Sequence, residues 1–232
     1  TFGDTDEFTD GFFALLPETG FGLVCRAGGR PVSMAWVLEG ITVGTVSCAY
    51  IYAVATTPEY RGLGCGASLM RACREAALAR GSAVICTSPA EPSLYRWYGD
   101  VLGMTPAACA SEKIFPAGDA GDIVLSPLTA GEYGEVRERL LAGTPHAEFP
   151  AGYLAVQELL CAACGGGIFR AGSAAAAVCY PEDGELKISE LLCPPQDEEA
   201  CASALAARFG CARARLRVPG AGAPLIAASP SA

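Results

Sequence analysis

The 232-residue sequence predicts an α/β (α+β) protein, a mixed and mainly antiparallel sheet flanked by helices, built as two units in tandem. Three observations carry that expectation. Runs of β-branched and aromatic residues bounded by Gly, Pro and Asp alternate with longer stretches of helical spacing. The β-then-α order begins again after the Pro/Gly/Asp-rich stretch PAGDAGD at residues 116–122. Finally, 51% of the residues are hydrophobic, enough for a sizeable core and too many for a disordered chain.

Taken in order, residues 7–16 (EFTDGFFALL) have the apolar spacing of a short helix, with Pro17 and Gly20 expected to end it. GFGLVCRAGGRPVSMAWVLEG reads as two strands joined at Ala27 to Arg30, where Gly28-Gly29 signals a hairpin. A strand follows over residues 46–56, with Tyr50, Tyr52, Val54 and Thr56 on one face and Ala49, Ile51, Ala53 and Ala55 on the other. Residues 64–80 turn helical: Leu69, Cys73 and Ala77 share a stripe, and Gly81 is a stop. SAVICTS is a short buried strand, PSLYRWYGDVLG a helix with Ser93 as expected cap, and MTPAACASEKIFP a strand.

Beyond the expected linker, IVLSPL is a strand and TAGEYGEVRERLLAG a helix, with Thr129 and Glu132 at capping-box spacing. Residues 153–164 give another helix. GIFRAG, AAAAVCYPEDGELKISELLC and ARARLRVP supply strands, with Glu182 to Gly184 as a hairpin turn. DEEACASALAARFG is a helix expected to be capped by Asp197 and closed by Gly210, and GAGAPLIAASPSA reads as a loose tail. The boundaries that follow are 1–116, a linker at 117–122, 123–218, and a tail at 219–232.

A net charge of −9 without any basic stripe argues against nucleic acid. Such a charge is compatible with a cationic substrate, although acidic surfaces also serve solubility alone. No apolar run is long and charge-free enough to span a bilayer, and the start carries no signal-peptide pattern. Because the first residue is Thr1, an upstream piece is expected to be missing. Twelve cysteines suggest disulfides or zinc, but they are scattered through apolar segments where a thiol acts as a small hydrophobe. Cys161 and Cys164 form a lone C-x-x-C pair, and His146 is the single histidine, so a four-ligand metal site is not expected. Free thiols fit a reducing, cytoplasmic location.

The junction YIYAVATTPEYRGLGCGASLM carries the chemistry. Amides at a helix start have no intrahelical partner, the helix dipole adds positive potential, and glycines let an anion approach the backbone closely. Residues 62–67 are therefore a candidate anion site, with Arg61 adding a charge-assisted contact. A P-loop would need Lys-Ser/Thr after the last glycine, whereas Ala67-Ser68 stands there. Gly62 to Ala67 formally matches the dinucleotide fingerprint G-x-G-x-x-A. However, TPEYR separates it from the strand, and no acidic residue stands about twenty positions on.

VATTPEYRGLGCGASLM resembles the coenzyme A loop of the GNAT acetyltransferases. R/Q-x-x-G-x-G/A is met by Arg61, Gly64 and Gly66, and the V-A-T-x-P-x-x-R-G lead-in by Val54, Ala55, Thr56, Pro58, Arg61 and Gly62. The resemblance implies a strand that splays from its neighbour, so that backbone groups of Val54, Ala55 and Thr56 pair with the pantetheine arm. It also implies that amides of Leu63, Gly64, Cys65, Gly66 and Ala67 hold the pyrophosphate. SLYRWYGDVLGM is similar to the family's later aromatic-Tyr-x-x-x-Gly segment. That likeness makes Tyr95 the general acid that protonates the departing thiolate, while Trp97 and Tyr98 are left to packing.

The family pattern is not met everywhere. Asp100 stands where an aromatic usually follows Gly99, and the fold's opening strand and helix are not visible before Glu7. The strand at 50–56 carries no carboxylate; Glu59 and Glu39 are considered as base and neither is assigned. The second unit repeats the family's element order, but PPQDEEA replaces its phosphate loop, so it reads as a degenerate GNAT-like copy without cofactor. The implied function is N-acetyl transfer from acetyl-CoA, with no metal, to a small-molecule or peptide amine. Neither nucleic acid nor a membrane is an expected partner, and a homodimer is left open. The alternatives are a non-catalytic CoA-binding sensor or interaction module and, with less support, a dinucleotide-binding protein.

Overall fold

The computed structural model describes residues 5–118 and 123–230. The first half contains α1 (Asp6–Thr19), β1 (Gly20–Ala27), β2 (Arg30–Val43), β3 (Val46–Thr56), α2 (Cys65–Ala79), β4 (Val84–Thr87), α3 (Pro92–Leu102) and β5 (Thr105–Pro116). The second contains β6 (Leu125–Pro127), α4 (Ala130–Leu140), β7 (Ala147–Glu148), α5 (Ala151–Ala163), β8 (Gly167–Ala171), β9 (Ala175–Glu182), β10 (Glu185–Leu192), α6 (Glu198–Arg208), β11 (Arg213–Pro219) and β12 (Ala223–Pro230).

Local chemistry accounts for most of the boundaries. Gly28 and Gly29 take φ of 56° and 81°, and Asp183 and Gly184 take 51° and 77°, the left-handed pairs that a tight hairpin requires. Thr129 caps α4 in a full capping box with Glu132. Other ends depart from the sequence reading. Helix α1 runs through Pro17 to Thr19, because a proline in the last turn leaves most of the helical ladder intact. Helix α3 starts at Pro92 rather than Ser93, since proline is preorganised for the first helical position. Asp197 precedes α6 without a side-chain cap. Residues 119–122 of the expected linker 117–122 lie outside the described residues.

All strands join one sheet in the order β1-β2-β3-β4-β12-β5-β11-β10-β9-β8-β6, with β7 added on β2. Most pairs are antiparallel; β3 with β4 and β10 with β11 are parallel. The stretch read as a loose tail is the main difference from expectation. Residues 223–230 form β12, which pairs with β4 on one side and β5 on the other. Strand β5 in turn pairs with β11 of the second half. Each half thus lends its last strand to the other.

The sheet separates two apolar layers, as the period-two alternation of strands dictates. On one face Ala35, Val37, Ala49 and Ile51 pack against α2 and α3. On the opposite face Trp36, Leu38, Tyr50 and Tyr52 meet α1 together with Tyr153, Val156 and Leu159 of α5. Small residues permit the close approach of α1 and α5: a Cβ on Gly152 would lie 2.4 Å from the Thr19 methyl, and one on Gly11 would lie 3.2 Å from Leu159. In the second half α6 covers one face and α4 with α5 the other.

Ala227 on β12 is 1% exposed and packs in the core beneath α2 and α3. Replacing it with aspartate buries an unpaired carboxylate, so Ala227→Asp is expected to cost at least about 3 kcal/mol in urea unfolding. Wild-type stability in that variant would mean that β12 is not part of the core.

Candidate functional site

The site begins where two parallel strands part. Strand β3 pairs with β4 only at Cys48, Ala49 and Tyr50. Past that point the Thr87 hydroxyl donates to Ile51 O at 3.0 Å, and β3 runs on to Thr56 with no strand of the described residues against its β4 side. The other edge of β3 stays on β2, with a break in register between the Met34 and Trp36 pairs. Ala53 lies in that break with φ of 51°, a left-handed conformation that costs a non-glycine residue about 1–2 kcal/mol. The Ser33 hydroxyl donates to Ala55 O at 2.9 Å and fixes the strand beyond the break.

Arg61 is exposed and its Nε donates to Thr56 O at 3.1 Å, which folds the loop back over the end of β3. Gly62 and Gly64 take φ of 75° and 84°, so the turn into α2 is left-handed at both glycines. Gly64 is the residue before α2 and brings no capping side chain. The first bond of the helix runs from Ser68 N–H to Gly64 O at 2.9 Å. The amides of Cys65, Gly66 and Ala67 are therefore unpaired among the described residues, beside an exposed Leu63. A Cβ on Gly66 would stand 3.2 Å from Thr56 Oγ1 and 3.6 Å from Trp97, so this glycine lets α2 seat against β3 and α3. The sequence-predicted residues 54–56 and 61–67 thus come together as an open strand edge leading to uncapped helix amides.

A cleft of about 310 Å³ adjoins that edge. Phe8, Phe12, Phe13, Trp36, Tyr50 and Tyr52 wall it on the α1 face of the sheet. It continues past Ala53 and Val54 to Thr87, Ser88, Leu94 and Tyr98. Aromatic contacts hold the wall rigid: Phe12 and Phe13 meet Trp36 edge-on at 6.0 and 5.5 Å, and Trp36 lies over Gly22 of β1. These residues escaped the sequence reading, because the wall is assembled from five separate segments. The aromatic face of β3 was the one visible trace of it.

Tyr95 sits one turn before Tyr98 on α3, and the structure gives the two phenols different settings. The Tyr95 hydroxyl donates to Pro224 O of β12 at 2.6 Å, and burial followed by proximity to Cys109 raises its pKa. Tyr98 is 5% exposed, meets the Thr87 side chain and lines the cleft itself; burial raises its pKa as well. Glu39 is bound by both oxygens to Arg80 Nε at 2.8 Å, and Glu59 is exposed on the 3-10 turn Pro58–Tyr60. Neither carboxylate lines the cleft.

The second half repeats the parting with different contents. Strand β10 pairs with β11 only from Leu186 to Ile188, and its register on β9 breaks before Glu190. There the Tyr133 hydroxyl donates to Glu190, and Arg137 reaches the same carboxylate at 3.0 and 3.2 Å while lying over Phe149. The helix that follows opens with Glu198 and Glu199.

Residues 1–100 match the family model of the acetyltransferase (GNAT) domain. No curated protein matches the chain. Among solved structures, a GCN5-related N-acetyltransferase from Kribbella flavida superposes with a TM-score of 0.62 at 20% identity, over 89% of this chain and 59% of that one. One from Anabaena variabilis gives 0.69 at 13% identity, over 98% and 66%. A tandem GNAT protein from the clavulanic acid biosynthesis pathway gives 0.53 at 12% identity, over 97% and 95%. The match to the GNAT domain lies in the first part of the chain, and the whole described chain has the fold of these proteins. It spans 59% and 66% of the length of the Kribbella and Anabaena proteins.

Because Gly64 holds φ of 84°, Gly64→Ala is expected to lower stability by about 1 kcal/mol, read as a shifted urea midpoint at unchanged slope.

Proposed function

We propose that this chain is an N-acetyltransferase that moves an acetyl group from acetyl-CoA to a primary amine by direct attack. The observation that carries the reading is the junction of two backbone features. The unpaired edge of β3 at Val54, Ala55 and Thr56 leads straight to the uncapped amides of Cys65, Gly66 and Ala67. Such an edge can pair with an amide-bearing pantetheine arm, and such amides suit a diphosphate. Leu63, Gly64 and the left-handed turn at Gly62 bring those amides outward, and Arg61 braces the turn. This arrangement fits coenzyme A better than a dinucleotide, because the loop and the open strand edge are used together.

In the reaction the amine lone pair attacks the thioester carbonyl, a C–N bond forms, and the C–S bond breaks. Backbone N–H groups of the parted strand polarise the carbonyl. The thiolate takes a proton from a phenol, and the amine loses its proton to solvent. Tyr95 is the acid that the family motif designates, and it must turn its hydroxyl away from Pro224 O to act. Tyr98 is the second candidate, on the specific ground that it already lines the cleft.

The second half is proposed as a degenerate copy that binds no cofactor. Glu198 and Glu199 in the first turn of α6 would repel a diphosphate, and Tyr133, Arg137 and Glu190 fill the space beside its parted strand. Its role is to supply α5 and β12 to the first half. The proposed units remain 1–116 and 123–218, with β12 now assigned to the sheet of the first. Twelve free cysteines accord with a reducing compartment. No described helix is long and apolar enough to cross a membrane.

Titration calorimetry with acetyl-CoA, followed by thiol release in the presence of amines, tests the reading. Binding of acetyl-CoA without turnover of any amine would favour a CoA sensor, and binding of a nicotinamide dinucleotide instead would remove coenzyme A altogether. Tyr95→Phe is expected to lower kcat roughly 10²-fold or more with little change in KM. If Tyr98→Phe does so instead, the acid is Tyr98.

The pH profile is expected to have a single rising limb. Burial raises the pKa of both phenols above the ordinary tyrosine value, so each keeps its proton through the neutral range. The acceptor must be neutral to attack, so kcat/KM should climb with pH until the acceptor's own ammonium has titrated. A falling limb between pH 7 and 9 would rule out a tyrosine acid.

A further inference from the structure

We propose that the acceptor is a monoamine carried on an aromatic or other uncharged apolar body, and that polycationic amines are excluded. This deepens the acetyl-transfer reading and rests on it. Net charge alone points the other way, since −9 favours cations. The cleft does not share that charge: among the described residues lining it there is no Asp, Glu, Lys, Arg or His. Six of its walls are the rings of Phe8, Phe12, Phe13, Trp36, Tyr50 and Tyr52.

The polar groups inside are all uncharged, and the hydroxyls of Thr9, Thr87 and Ser88 are committed to backbone carbonyls. The Thr87 hydroxyl donates to Ile51 O and the Ser88 hydroxyl donates to Leu225 O at 2.9 Å. A polyamine or aminosugar entering here would surrender the hydration of several ammonium groups and meet no carboxylate in return. A single ammonium has another way in. Ring faces attract one cation, and the apolar surroundings then favour its neutral form, because burial disfavours the charged state. That shift supplies the free amine which direct attack needs, and it accounts for a cleft that works without a carboxylate base. An aromatic body adds offset and edge-to-face contacts with walls already held at 5.5 to 6.0 Å from one another. The size agrees, since about 310 Å³ lies at the small-molecule end of ligand cavities.

The test compares the intact protein acting on phenethylamine and tryptamine with spermidine, an aminoglycoside and a lysine-containing peptide, at matched pH and ionic strength. Thiol release with acetyl-CoA is expected to give kcat/KM at least 100-fold higher for the two arylalkylamines. Equal or reversed preference overturns the proposal. Calorimetry of each amine against the protein saturated with CoA is run in parallel. Tight arylalkylamine binding without turnover would leave the ligand class standing and remove the acetyl-transfer reading. Absence of arylalkylamine binding would remove the ligand class whatever the turnover. Phe13 is half exposed at the rim, so Phe13→Glu should fold. It is expected to weaken arylalkylamine binding about tenfold and to strengthen spermidine binding; an unchanged ratio of the two affinities would overturn the assignment of this cleft.

Discussion

The insertion of β12 between β4 and β5 is the constraint on which the rest of the molecule depends. Without it the sheet would be two sheets, each with a buried edge of unsatisfied backbone groups. With it, the last described residues of the chain sit next to the middle of the first half. The consequence reaches the site directly. Ser88 at the end of β4 is bound to Leu225 O, and Tyr95 on α3 is bound to Pro224 O, both on β12. The register of β12 on β5 also breaks just after Pro224, the residue whose carbonyl accepts the phenol. The far end of the cleft is therefore positioned by a strand more than a hundred residues away in sequence.

The second half contributes to the cleft from the other side as well. Phe149 stacks on Tyr153 at 4.6 Å, and Tyr153 meets Tyr50 edge-on at 6.4 Å. Arg137 lies 4.5 Å above Phe149, so a continuous series of contacts joins the Arg137–Glu190 pair to the wall of the cleft. Tyr153 is buried deeply enough that its pKa is pushed up to about 12, and it stays a neutral packing group. The second half thus helps to set the shape of the cleft. The internal pairing of Tyr133, Arg137 and Glu190 makes that support stiff, since removing one member of a buried pair leaves an uncompensated charge.

Much of this was legible in the sequence where local chemistry decides the outcome. The Gly28-Gly29 and Asp183-Gly184 turns require left-handed backbone that those residues provide. The bounds of β3 were readable because aromatic and β-branched side chains alternate along it, but the expected faces hold only as far as Tyr52: past the break at Ala53, Val54 packs with Ala49 and Ile51 instead of with Tyr50 and Tyr52. What escaped was settled by distant partners. GAGAPLIAASP has small residues and prolines that suit an irregular segment, and only the waiting edges of β4 and β5 make it a strand. Strand β7 is two residues long and exists because β2 runs past the end of β1 at Leu38 and leaves Thr42 and Val43 free on that side to meet it. The loop motif was visible because it is contiguous, whereas the cleft is divided among α1, β2, β3, β4 and α3. Tyr98 illustrates the limit: on a helix its spacing reads as packing, and it does pack, yet the parting of β3 from β4 also exposes it to the cleft.

Ala53 shows how the fold and the site are coupled. A left-handed alanine within a strand is held only if its neighbours leave no better choice. Here the neighbours do so on every side: Ile51 O is taken by Thr87, Ala55 O by Ser33, and the flanking Tyr52 and Val54 face the cleft. The break in register uses one extra residue to turn the strand away from β4, as bulges do. If β3 ran straight, its edge would continue along β4 and neither the open edge of β3 nor the mouth of the cleft would exist. The strain at one alanine is thus the local cost of an opening that the surrounding sheet, closed by β12, is rigid enough to maintain.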